Sequence, residues 1–156
     1  MPTLRVTAVL PPDHGQGTPF DVIVLEHDAR RLRRKLLVLQ HGDEVMVDFP
    51  QTVTLADRSA LQLEDGRLVE VIAAEELLYE VRASTPEHLV RLAWHIGNRH
   101  TSAQLEAERI LIKRDHVLKT MLEGLGAAVV NVSEPFNAEH GAYHSHGDQG
   151  HALLAR

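Results

Sequence analysis

The strongest constraint on this chain is a change in the period of its apolar residues near position 74. Upstream of it, Leu4-Arg5-Val6-Thr7-Ala8-Val9 alternates and stops at Pro11-Pro12, and Phe20-Asp21-Val22-Ile23-Val24-Leu25 is short and β-branched. Leu36-Leu37-Val38-Leu39 and Val45-Met46-Val47-Asp48-Phe49 flank the turn residues Gln40-His41-Gly42-Asp43. Leu61-Gln62-Leu63 and Leu68-Val69-Glu70-Val71-Ile72 flank Asp65-Gly66, a dipeptide that tolerates positive φ. Short runs punctuated this way predict an all-β unit of about six strands over residues 1–74. No helical periodicity competes there.

Downstream the apolar spacing turns helical twice. Thr85-Pro86-Glu87 combines an N-cap, a proline at the first helical position and an acid in the first turn. Leu89, Leu92, Ala93 and Ile96 then share one face, and Gly97-Asn98 reads as the left-handed stop. Asp115 is the expected cap of a second helix with Leu118, Met121, Leu122 and Leu125 on its apolar face and Gly126 at its end. Around these lie strand-like Leu77–Val81, Gln104-Leu105, Arg109–Ile112 and Ala127–Val132. The order β-α-β-β-α-β predicts a ferredoxin-like domain over residues 75–136, followed by a flexible tail over 137–156. The fold class expected is therefore α+β. A ferredoxin-like fold serves many functions and specifies none.

Composition narrows the chemistry. Sixteen Lys+Arg against twenty-two Asp+Glu give a net charge of −6, and aromatics are only 4%. Neither the basic footprint of a duplex binder nor the stacking aromatics of a single-strand binder is present, so nucleic acid is not an expected partner. No run approaches the length of a membrane span, and the first ten residues do not read as a signal peptide, so a cytoplasmic location is expected. With no cysteine, thiolate zinc sites, iron–sulfur clusters and cysteine nucleophiles are excluded. Phosphate-cradling glycine loops, H-E-x-x-H and G-x-S-x-G are missing, and the carboxylates look scattered, so no catalytic role is expected. Arg30-Arg31-Leu32-Arg33-Arg34-Lys35 packs five positive charges into six residues, read as a solvated strand edge in preference to a docking patch.

Histidine is the exception. There are eleven, three before residue 75 and eight after it. His140, His144, His146 and His151 fall within twelve residues among Gly141, Gly147 and Gly150, a composition read as metal-binding. Neutral imidazole suits nickel, zinc and copper, and residue types do not rank the three. His100 falls just past the first helix on an expected exposed loop; a two-fold dimer with His100 on its axis would double it. His95, beside Trp94, reads as structural, and His14, His27, His41 and His88 as incidental. His116, in the first turn of the second helix, is open between ligand and structure. The competing reading of the whole chain is a non-catalytic interaction module with an incidental histidine tail.

Three segments resemble a known family. Trp94-His95-Ile96-Gly97-Asn98-Arg99-His100 is similar to the H-x-G-N-R-H segment of the UreE proteins, nickel metallochaperones of urease maturation. Asp115-His116-Val117-Leu118, with Met121-Leu122 and Leu125-Gly126 after it, resembles the family's D-H-V-L…M-L…L-G segment. Glu134-Pro135-Phe136-Asn137-Ala138-Glu139-His140-Gly141-Ala142-Tyr143 resembles its E-P-F-x-P-E-x-G-A-Y run.

The resemblance implies a peptide-binding-like β domain, a ferredoxin-like metal domain and a homodimer joined through the latter. It also implies a nickel site built from His100 of both subunits with tail histidines assisting. Its implied partners are the urease accessory GTPase and the urease apoprotein complex. Lys113-Arg114 stands where some relatives carry a second histidine before the Asp-His pair, which leaves His116 without a partner for a separate site. From Phe136, eight residues reach His144, and a flexible segment of that length spans about 15 Å.

Overall fold

Alternation of apolar and polar residues buries one side of each N-terminal strand, and turn residues return the chain at each end. A computed structural model describes residues 3–140, which form two compact units meeting in sequence at Ala74 and Glu75. The first unit runs β1 (Leu4–Leu10), β2 (Asp21–Leu25), α1 (His27–Arg30), β3 (Arg31–Val38), β4 (Glu44–Thr54), β5 (Ala60–Leu63) and β6 (Leu68–Ala73). Its six strands lie in the order β2-β6-β5-β1-β4-β3, with β1–β4 and β2–β6 parallel and the rest antiparallel. Gln40 N–H donates to Val22 O at 3.0 Å, so the chain leaving β3 reaches the opposite edge strand and the sheet curls. Val45, Val47, Leu61, Val69 and Val71 fill the interior at 1% exposure or less.

Both expected hairpin turns are present, with Gly42 and Gly66 at positive φ. Three details differ from the sequence reading. A single helical turn, α1, joins β2 to β3 where no helix is expected. Arg30 does not belong to a solvated charge row: it is 1% exposed, its guanidinium donating to Leu25 O and Leu55 O. Arg31, Arg33, Arg34 and Lys35 do lie exposed along edge strand β3, where charge discourages edge-to-edge pairing.

His41 is also more than incidental. Its ring Nδ1 lies 2.8 Å from Asp21 Oδ1, and its backbone N–H donates to Oδ2. Burial pushes the Asp21 carboxyl up, but the bonds from Val22 N–H, His41 N–H and the His41 ring outweigh it and hold that group below the usual carboxylate range. The carboxylate thereby pins the β3–β4 turn to the start of β2.

The second unit runs β7 (Glu75–Arg82), α2 (Pro86–Asn98), β8 (Ala103–Leu105), β9 (Ile110–Lys113), α3 (His116–Gly124) and β10 (Ala128–Pro135). The antiparallel sheet order β10-β7-β9-β8 with two helices is the ferredoxin-like arrangement. One sheet face packs Tyr79, Val81, Ile110 and Ile112 against Leu89, Leu92 and Ile96 of α2 and Leu118 and Leu122 of α3. Both N-caps are as read: Thr85 Oγ1 accepts from His88 N–H, and Asp115 Oδ1 accepts from Leu118 N–H. β10 continues through Pro135, which an edge strand tolerates because its missing N–H can face outward.

Candidate metal centre

The candidate ligands described in the second unit, His100 and His116, stand at helix ends, beginning with the end of α2. Gly97-Asn98 does not stop that helix; both residues are helical, and the reversal falls at His100, with φ of 57°. His100 N–H donates to Gly97 O at 2.9 Å and Thr101 N–H to Ile96 O at 3.4 Å, the bond pair of a Schellman motif. α3 ends in the same way: Gly126, at φ 91°, donates to Glu123 O, and Ala127 N–H donates to Leu122 O. The two helices thus share one terminator, filled by glycine in α3 and by histidine in α2. A side chain at that position is strained, and such strain gathers where a side chain is needed for function. The imidazole of His100 is exposed, and the negative end of the α2 dipole beside it favours a bound cation.

Outward on the same helix stand Val90 and Trp94, 69% and 63% exposed, four residues apart on the stripe opposite Leu89, Leu92 and Ile96. His95 is half-buried and meets the Trp94 ring edge-on at 5.2 Å.

His88 is a brace. Ser84 N–H donates to its Nδ1 at 3.2 Å, which leaves the ring proton on Nε2, and Nε2–H donates to Leu125 O at 2.8 Å. One ring therefore ties the start of α2 to the end of α3, a link between residues 37 apart that local sequence does not reveal. His88→Ala should lower stability by about 1 kcal/mol by removing two hydrogen bonds whose exposed backbone partners can turn to water instead. A calorimetric melt checks this, and nickel affinity should not move with it.

The C-terminal segment is anchored near His100 by a strap across the open face of the sheet. After β10, at one edge, Phe136 is 0% exposed between Leu78 of β7 and Leu111 of β9. Asn137 N–H then donates to Gln104 Oε1 at 2.8 Å, and Glu139 N–H to Ala103 O at 2.7 Å. Gln104 and Ala103 belong to β8, the opposite edge. The chain has crossed the whole sheet and arrives three residues from His100 in sequence.

The carboxylates that look scattered in sequence are gathered in space. At the far end of β8 and β9, Arg109 donates a two-point contact to Glu134 (2.7 and 2.8 Å), another to Glu106 (2.9 and 3.2 Å), and a bond to Glu80 at 2.9 Å. The guanidinium of Arg82 and that of Arg109 hold the Glu80 carboxyl below its usual range, and Arg109 does the same for Glu106 and Glu134. Glu134, Glu106 and Glu80 together raise Arg109 further above its ordinary value.

Of the expected ligands, His100 is exposed at the α2 terminus and His116 exposed as the first residue of α3. β8 begins and β9 ends at one end of the sheet, so both histidines stand at that end. His140, also exposed, directly follows the strap; His144, His146 and His151 lie outside the described residues. Among the described residues of one chain, no three histidine, aspartate or glutamate side chains converge as a metal-holding group. The second helix's histidine therefore has no ligand set of its own here.

A family model for the C-terminal domain of UreE urease accessory proteins matches residues 76–154, and one for the N-terminal domain of the same proteins matches residues 6–74. The chain belongs to the UreE family. UreE urease accessory proteins from Rhizobium rhizogenes and Rhizobium meliloti are each 53% identical over 94% of this chain, covering 88% and 96% of their own lengths. The one from Agrobacterium fabrum is 52% identical over 95% of this chain and 92% of its own length. Membership makes this an accessory protein of urease maturation in a nickel-handling family, not a catalyst. No helix among the described residues is long and apolar enough to cross a membrane.

Proposed function

We propose that this UreE protein is a homodimeric carrier that holds Ni(II) between His100 of two subunits and passes it to the urease assembly machinery, including the accessory GTPase bound to apo-urease. The placement of His100 carries the reading. Its imidazole stands out at a helix terminus where glycine is the easier residue, and one chain offers it no second and third ligand among the described residues. A second copy supplies one ligand through two-fold symmetry. The exposed Val90–Trp94 stripe on the same helix supports self-association there, since two large apolar side chains gain by being covered.

Two imidazoles leave coordination positions open on an ion that takes four to six ligands. His140, His144, His146 and His151 of either tail are the further donors, and donors that exchange allow release to an acceptor. His116, which no metal-holding group surrounds among the described residues, is assigned a weak peripheral role. Zn(II) and Cu(II) meet the same nitrogen donors and should compete.

Imidazole binds a metal only when neutral, so Ni(II) affinity should fall as pH drops through about 6.5. Titration calorimetry from pH 8 to 5.5 checks it, with one tight ion per two chains expected at the upper end. A flat profile contradicts histidine ligation.

A further inference from the structure

Edge strand β3 concentrates positive charge in an acidic chain. Net charge is −6, yet four of the sixteen lysines and arginines fall within positions 31–35. Strict alternation would turn part of that run inward, but the ladder breaks here. Leu32 pairs with Val53 and Arg34 with Asp48, so residues 49–52 of β4 stand opposite Arg33 alone. Around that break alternation lapses, and residues 33–36 are all exposed, as is Arg31.

These cations are also uncompensated. Arg58, Arg67, Arg82, Arg91 and Arg109 each hold a carboxylate within 3.3 Å. Arg31, Arg33, Arg34 and Lys35 form no ion pair among the described residues, although Asp48 lies directly across from Arg34. Arg33 Nε donates instead to Pro50 O at 3.5 Å. Farther along, Leu36 and Val38 alternate with Arg34 on one face of the strand, and both are exposed. β3 ends the strand order of its sheet, and among the described residues its outer backbone edge pairs with no other strand.

We propose that β3 is a docking edge for an acidic, extended segment of a partner protein, which adds beside it as a further strand. The backbone edge supplies the hydrogen bonds of strand addition, and Leu36 and Val38 cover alternate apolar side chains. The cations at 31–35 select carboxylates. Guarding the edge and choosing its partner are then one effect: the charges repel a basic strand, a second β3 included, and carboxylates offset them. The same uncompensated charge draws an acidic segment in from a distance. Docking here uses neither His100 nor any other histidine.

The probe is a blocked, fluorescein-labelled peptide of alternating glutamate and valine, titrated onto the full-length protein and followed by anisotropy and by amide shifts. Two comparison peptides accompany it. One carries lysine in place of glutamate; the other is the acidic peptide N-methylated throughout, which keeps the charge and removes every backbone donor.

The acidic peptide should bind in the millimolar range or tighter, with amide shifts centred on residues 31–38, and should weaken as salt is raised. Arg33→Glu and Arg34→Glu together should weaken it about tenfold or more, because two attractions become repulsions. The milder pair Arg33→Gln and Arg34→Gln should weaken it about threefold, and carries the test if melting shows the reversed pair unfolded. The lysine peptide should not bind, and the methylated one should bind far more weakly than its parent. No binding of the acidic peptide, or heparin bound in its place, overturns the proposal. So does equal binding by the charge variants, or equal binding of the methylated peptide, which would make β3 a bare anion patch. Nickel titration of the same variants should match wild type, and a loss confined to His100→Ala bears on the carrier site alone.

Discussion

Replacing His100 with glycine should raise the melting temperature by about 2–4 °C while weakening nickel binding at least a hundredfold. The two effects have one origin. His100 occupies the left-handed position of a Schellman terminator, at φ 57°, and the matching position of α3 holds Gly126. Moving a side chain out of that conformation relieves about 1 kcal/mol, at the low end of such strain because histidine tolerates it better than β-branched residues.

The same substitution deletes an imidazole from each subunit. Even outer-shell changes reduce metal affinity about 10- to 100-fold, so loss of two direct ligands exceeds that range. His100→Ala separates the effects: it removes the ligand and leaves the strain. Scanning calorimetry and nickel titration on both variants check the pattern. A glycine variant that is less stable than wild type would show that the backbone is not strained at this position.

Replacing Arg109 with methionine should cost about 2–3 kcal/mol at pH 7, which lies below the range for breaking a fully buried pair because Glu106 and Glu134 remain about one-third exposed. The loss comes less from missing attraction than from leaving Glu80, Glu106 and Glu134 facing one another. The pH dependence gives the clearer signature. All three carboxyls are held below the ordinary glutamate value of 4.5 in the folded chain.

Their stabilisation is therefore complete above about pH 4.5 and is lost as pH falls through the lowered folded values. Wild type should destabilise on that acid limb. In Arg109→Met the carboxylates repel, so protonation relieves them, and the gap between variant and wild type should close as pH drops from 6 to 3.5. Melting curves over that range test this; two parallel curves would mean that the cluster contributes nothing dependent on ionisation.

What could be read from sequence was local. Thr85, Asp115, Gly42, Gly66 and Gly126 each act within four residues of themselves, so their type announces their conformation. The βαββαβ order followed from the same short-range signals. The residue types of Gly97 and Asn98 point to a left-handed stop there, whereas both stay helical and the left-handed residue is His100.

The contacts that sequence hid are those between distant residues. Arg109 meets Glu80 from 29 positions away and Glu134 from 25, and His88 meets Leu125 from 37. His41 finds Asp21 across 20 residues. The Phe136 strap depends on a ring seated over two other strands, which no periodicity encodes. The candidate ligands themselves were legible because histidine is rare enough that its density and its family-like context stand out.

The central claim is that one nickel ion is shared by His100 of two subunits. The most direct measurement is a crystal structure of the nickel-loaded dimer with anomalous data at the nickel edge. The account predicts a single strong peak on a two-fold axis, within about 2.0–2.2 Å of an imidazole nitrogen from each His100. A peak held by one subunit alone, or by tail histidines with both His100 rings turned away, would contradict it.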